Sequence, residues 1–208
     1  ERFHASMRVL AEQLAAALDH CAYEAQWPVP SFSAFSEAAD PAPIYREFAR
    51  ILRTDAAFHR NAERPRVLKV PQFAEDLPAL LAQFPDARVV LTRRDECDCV
   101  ASATSLVANQ MTIQSDAVDL AWIEAECRRK IALREDRIGA ALAGYSGPLA
   151  VVEFDALDAD WEAEIARLYR ALGLTLAPGA LAAMRAEQGR AGRPPHGHHA
   201  RTYREFAR

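Results

Sequence analysis

VLKVPQFAEDLPALLAQFPDARVVLTRRDECDCVASATSL, running from Val67 to Leu106, decides how the rest of the chain is read. It holds two short β-branched runs, Val67-Leu68-Lys69-Val70 and Arg88-Val89-Val90-Leu91-Thr92, each ending in or followed by polar or cationic residues. Between them Leu77, Leu80, Leu81 and Phe84 recur at helical spacing and predict a helix over Pro71–Phe84 with one buried stripe. After the second run Asp95 stands where an N-cap belongs, and a further helix pattern covers residues 96–110. Strand, helix, strand, helix is a βαβα unit, which lays its strands parallel and puts ligand chemistry at their carboxyl ends. The expected fold class is therefore α/β, a parallel sheet flanked by helices. Lys69, Arg93 and Arg94 fall at those strand ends, which points to an anion site.

Outward from this unit the chain is rich in helix patterns. Phe3, Met7, Leu10, Leu14 and Leu18 share one helical face, and Trp27-Pro28-Val29-Pro30 breaks that pattern into an extended segment. A short helix is expected over Ser31–Ala39, then a longer one over Ile44–Arg60 with Ile44, Phe48, Ile51, Leu52 and Phe58 inward. Beyond the unit, Ala117–Ala143 reads as a long helix whose Arg128, Arg129 and Lys130 form a solvated face. Leu149–Phe154 is a third strand, Ala159–Leu172 a helix closed by Gly173, and Pro178–Gln188 a last helix. From Gly189 the composition turns to Gly, Pro, Arg and His, giving a basic C-terminal loop over 189–208 that builds no core of its own.

A length of 208 residues, half of them hydrophobic, suits a single domain over 1–208. The net charge of −4 argues against a broad nucleic-acid-binding surface and leaves room for a small basic pocket. No apolar run approaches the roughly 18 to 20 residues of a membrane span. Cys21, Cys97, Cys99 and Cys127 are too few and too irregular for a disulfide framework, so a reducing cytoplasm is the expected compartment. Cys97-Asp98-Cys99 lacks a partner Cys or His pair, and no metal is expected.

Arg94 and Ser102 carry the anion reading. If the helix starts near Glu96, its amide-rich end points the same way as the Arg94 guanidinium, and Ser102 adds a hydroxyl two turns on. A planar guanidinium with a hydroxyl beside it suits a phosphate monoester. The competing reading pairs Arg94 with a nearby carboxylate.

The same residues resemble a known family. Leu68-Lys69-Val70-Pro71, Phe84-Pro85-Asp86-Ala87-Arg88, Thr92-Arg93-Arg94-Asp95 and Ser102 are similar, in order, to motifs of bacterial-type sulfotransferases of the family 3 kind. Pro43–Phe48, Glu153–Leu157 and Leu168–Leu174 extend the likeness, and the tail around His198, His199 and Phe206 resembles that family's basic C-terminal loop. The resemblance implies a P-loop nucleoside-triphosphatase-like sheet and transfer of a sulfonate from 3′-phosphoadenosine 5′-phosphosulfate (PAPS). The acceptor would be a hydroxyl or amine of a small molecule, glycan or lipid. It implies that Arg94 and Ser102 hold the 3′-phosphate and that Arg193 clamps a nucleotide phosphate. Lys69 would be the catalytic cation at the bridging oxygen, where charge develops as the bond breaks.

Three features differ from the family pattern. No Gly-x-x-Gly-Ser/Thr-Thr loop is present, and the first glycine of the chain is Gly139. The first strand and its phosphosulfate loop are accordingly expected ahead of residue 1. Phe73 stands where many relatives carry a histidine, and Arg93 and Glu96 replace a histidine and a proline around Arg94-Asp95. The base that deprotonates the acceptor is unassigned: the candidates are a carboxylate ahead of residue 1 or near Glu12 or Glu37, and His20 or His59. Trp27, Phe32 and Phe35 are candidates to line an acceptor pocket. Two other readings stand beside the transferase: a nucleotide-dependent kinase of the same fold, and a non-catalytic sulfotransferase-like binding module.

Overall fold

The computed structural model describes residues 28–191. The amphipathic segment Phe3–His20, and Arg193 with most of the basic tail, lie outside the described residues. In chain order the elements are α1 (Pro30–Ala38), α2 (Ala42–Phe58), a 3-10 turn (Pro71–Ala74), α3 (Leu77–Gln83), β1 (Val89–Arg93), α4 (Glu96–Gln114) and α5 (Leu120–Leu142). They are followed by β2 (Leu149–Glu153), α6 (Phe154–Ala159), α7 (Trp161–Ala171) and α8 (Pro178–Ala191). This is a helix-rich α/β arrangement around a small parallel sheet.

β1 and β2 pair in parallel, with Val89 opposite Leu149 and Arg93 opposite Glu153. The crossover between them is α4 and α5, so both strands end on the same side of the sheet. Ala150 and Val152 of β2 are buried, as the alternation of a half-covered strand requires. Two side-chain bonds tie the start of β1 to later parts of the chain. The Tyr145 hydroxyl donates to the Ala87 carbonyl at 2.6 Å, and Arg88 Nε donates to the Leu172 carbonyl at 2.9 Å. Gly147 is needed here, because a Cβ at that position would overlap the Tyr145 ring.

The expected first strand, Val67–Val70, does not form: among the described residues the sheet consists of β1 and β2. Val70 has extended dihedrals (φ −142°, ψ 122°), but the segment finds no ladder partner, and Val67 is 96% exposed. β-branched composition sets an extended backbone; a strand also needs a neighbour to bond. The helix expected over Pro71–Phe84 divides in two. Pro78 has no N–H to donate and is tolerated only in a first helical turn, so a new helix starts at Leu77. The helix expected over Ala159–Leu172 forms as α7, and an unexpected short helix, α6, precedes it; Asp160 separates the two by leaving helical dihedrals and capping α7, accepting from the Ala163 amide at 3.0 Å.

α2 and α7 stop by the same device. In α7 the Leu174 amide reaches back to the Tyr169 carbonyl and the Gly173 amide to that of Arg170, with Gly173 at φ 64°. In α2 the Asn61 amide reaches Ala56 and the Arg60 amide reaches Ala57, with Arg60 at φ 51°. Both are six-to-one and five-to-two closures around a left-handed residue, and only one of them uses glycine.

Two apolar centres hold the helices. Val107, Ala108 and Met111 of α4 interlock with Ile123 and Cys127 of α5, and Ile123 and Ala108 are fully buried. A second centre is aromatic. Phe48 of α2 lies 6.0 Å from Phe73 and 6.0 Å from Phe84, centroid to centroid, and Tyr45 packs on both Phe48 and Phe73. The buried face of α2 is thus Tyr45, Phe48, Ala49 and Ala56, rotated from the expected one, and Phe58 is 39% exposed.

The basic run of α5 is solvated at Arg128 and Arg129, as expected, but not at Lys130. Lys130 is 6% exposed and lies between Glu37 Oε1 at 3.0 Å and Glu75 Oε2 at 2.9 Å. Arg129 holds both oxygens of Glu37, and Arg134 Nε bonds Glu75 Oε1 at 2.8 Å. Burial penalises the Glu75 carboxylate, but hydrogen bonds and charge from Lys130 and Arg134 outweigh it, and its pKa falls below the usual value. Hydrogen bonding from Arg129, aided by Lys130, draws that of Glu37 down to about 2.

Candidate functional site

The carboxyl ends of β1 and β2 open onto a cavity of about 270 Å³, lined by Thr92, Arg93, Arg94, Cys99, Val152, Phe154 and Leu157. The parallel pairing creates this position. Both strands end together, and each chain then turns into a helix, α4 after β1 and α6 after β2. Asp95 caps α4 by accepting from the Asp98 amide at 3.1 Å, which starts the helix directly after Arg94.

Arg94 is fixed from two sides. Its guanidinium carbon stands 4.8 Å from the centroid of the Phe154 ring, and its Nη2 lies 3.2 Å from Asp98 Oδ2. Stacking on an aromatic face orients the guanidinium plane without consuming its N–H donors. The carboxylate contact is the alternative that the sequence left open, and it is an exposed pair of small worth. Ser102 is exposed on α4. It lies one turn beyond Asp98 on the same helix face, since residues four apart are neighbours on a helix. Arg94 therefore contacts the face that carries Ser102, although Ser102 does not line the cavity. Neighbouring Arg93 also lines the cavity and pairs with Glu135 of α5 at 3.3 Å.

Lys69 is exposed in the connection between α2 and the Pro71–Ala74 turn, and it does not line the cavity. Arg193 lies outside the described residues. Of the base candidates, Glu12 and His20 also lie outside them. Glu37 is engaged with Arg129 and Lys130 and titrates near 2, far from the range in which a general base works. His59 sits on the outside of α2, 3.4 Å from Asp55 and edge-on to Phe58. Phe73 fills the aromatic centre with Tyr45 and Phe48. Phe32 and Phe35 stand 6.4 Å apart on α1, with Phe35 70% exposed.

Phe154 is the site residue that sequence reasoning missed. Its signal was its place as the last residue of the expected third strand, level with the end of β1. Cys99 is a second, with its thiol pKa pushed up by burial.

Chemically, the cavity offers one oriented guanidinium over largely apolar walls. That suits the monoester phosphate of a nucleotide, with room for an apolar ring beside it. It does not offer a glycine-rich amide cradle: no glycine occurs from residue 89 to 114, and the Asp98 amide in the first turn of α4 donates to the Asp95 carboxylate. Among the described residues no group of three His, Cys, Asp or Glu side chains is arranged to hold a metal ion. No helix among them is long and apolar enough to cross a membrane.

No curated protein and no solved structure matches the chain. A sequence profile described as the sulfotransferase family matches residues 2–178, which takes in the cavity and every element from α1 to α7. An arginine at the mouth of a parallel sheet and a match over most of the length agree: the chain belongs to the sulfotransferase family.

Proposed function

We propose that the protein transfers a sulfonate from PAPS to a hydroxyl or amine of a small molecule, glycan or lipid, with the nucleotide's 3′-phosphate at Arg94. The observation that carries this reading is Arg94 itself. It is stacked on Phe154 at the shared carboxyl end of β1 and β2, and its exposed partner Asp98 sits on the helix face of Ser102. A phosphate dianion offers this guanidinium a doubly charged, bidentate acceptor in place of a single exposed carboxylate. Ser102 would contribute a hydroxyl donor one turn further along α4.

Lys69 is assigned to the transfer step. As the bond between sulfur and the bridging oxygen breaks, negative charge collects on the 5′-phosphate, and an ammonium there lowers the barrier electrostatically. An exposed lysine on an extended connection has the rotational freedom for that role. Arg193 is assigned to a nucleotide phosphate. A cytoplasmic setting, where thiols stay reduced, goes with this reading.

One observation favours a second reading, a binding module without turnover. Phe73 is packed in an aromatic centre and Glu37 is engaged by cations, so neither supplies a base.

Thermal unfolding with added nucleotide distinguishes the readings. The bisphosphate 3′-phosphoadenosine 5′-phosphate is expected to raise the melting temperature, and Arg94→Ala to abolish the shift. A shift with ATP but not with the bisphosphate would replace the reading by a kinase. A shift with the bisphosphate and no sulfonate transfer to any acceptor would leave the binding module. The absence of any shift would overturn the nucleotide site.

A further inference from the structure

Two cations of α5 each bridge the same pair of residues on two other elements. Lys130 Nζ lies 3.0 Å from Glu37 Oε1 and 2.9 Å from Glu75 Oε2, joining the two carboxylates. Arg137, two turns along the same face, donates to the backbone carbonyls of the same residues, at 2.8 Å to Glu37 and 3.1 Å to Glu75. Glu37 lies in the last turn of α1, and Glu75 closes the 3-10 turn Pro71–Ala74. These two short elements are separated by all of α2 and the connection that follows.

α1 itself has a small apolar anchor. Ser33 is its one buried residue, and Phe35 points largely into solvent. Prolines bound it on both sides, with Pro28 before it, Pro30 as its first residue and Pro41 after, so the short helix is set off from its neighbours in the chain. Its attachment to α5 runs through Glu37, whose side chain and carbonyl together meet Arg129, Lys130 and Arg137.

We propose that Lys130 and Arg137 act as a shared clamp, so that α1 and the Pro71–Glu75 turn open and close as one unit. The physical reason is desolvation. An ammonium with a side-chain exposure of 8% is tolerated because both carboxylates neutralise and bond it. Loss of either carboxylate leaves the ammonium under-compensated, and its hold on the other then changes as it seeks water. The coupling is reciprocal: whatever releases α1 loosens the turn, and whatever releases the turn loosens α1. Lys69 stands two residues before that turn, so the state of α1 is transmitted to the connection that carries it. That last clause alone rests on the role proposed for Lys69; the coupling itself does not.

Hydrogen exchange read by mass spectrometry on the whole chain tests the clamp. Glu37→Gln is expected to speed exchange roughly tenfold or more in residues 71–76 as well as 30–38, and Glu75→Gln to do the same to 30–38 as well as 71–76. Exchange in α4 and β2 is expected to stay unchanged. An effect confined to the substituted segment would overturn the proposal, as would a uniform rise through α4 and β2. The unmodified protein gives a separate check over a series of urea concentrations. The two segments are expected to merge on one opening curve with a common slope, and two separate curves would defeat the clamp. Because no nucleotide is used, failure here is distinct from failure of the sulfotransferase reading.

Discussion

Glu37 shows how much a single side chain depends on its surroundings. From the sequence it was a carboxylate available for proton transfer. In the fold two cations hold it ionised down to about pH 2, against an ordinary value of 4.5, and hydrogen bonding from Arg129 is the largest cause. A carboxyl with a depressed folded pKa contributes stability that is fully present above its unfolded value and is lost as pH falls through the folded one. Glu75 is shifted in the same direction. The urea midpoint is therefore expected to drop steeply between about pH 4.5 and about pH 2. Glu37→Gln is expected to be less stable at neutral pH and to show a shallower decline over that window. Equal slopes for the two proteins would show that other carboxylates govern the acid transition.

At the scale of elements, the paired endings of α2 and α7 provide a controlled comparison. Gly173 takes φ 64° without a Cβ to crowd the following carbonyl, whereas Arg60 takes φ 51° with one. Arg60→Gly is expected to stabilise the protein by about 1 kcal/mol, less the extra freedom glycine gains when unfolded, read as a rise in urea midpoint. The reverse exchange, Gly173→Ala, has no clashing neighbour and would report the backbone term alone. Elements were also where the sequence was most legible. β1 and β2 lie within a residue of their expected spans, because β-branched runs between turn residues have few alternatives. Val67–Val70 misled because a pattern in one segment carries no information about its neighbour. Arg94 and Ser102 were placed on one strand end and one helix by local rules. Phe154 was not foreseen as a partner of Arg94, since that contact depends on parallel pairing across about sixty residues.

At the scale of the whole molecule, the interface of α4 and α5 holds a cluster of buried apolar residues. Ile123→Ala at a fully buried position there is expected to cost about 3 kcal/mol, measured by urea unfolding, with the bisphosphate-induced shift retained. Loss of that shift with folding intact would place the core in communication with the cavity. The charged end of α5 explains why its face was misread. Ile123, Cys127, Lys130, Arg134 and Arg137 follow one helical stripe, so a lysine at an inward position was itself the sign that carboxylates had to meet it. Nothing local says which carboxylates, and Glu37 and Glu75 lie more than fifty residues away. This arrangement also constrains how the protein can drift. Swapping the entire ionic group for well-packed apolar residues is energetically open, whereas any one-step change strands a charge inside. Glu37, Glu75 and Lys130 are thus expected to vary among descendants as a block, each substitution needing its companions before it can persist.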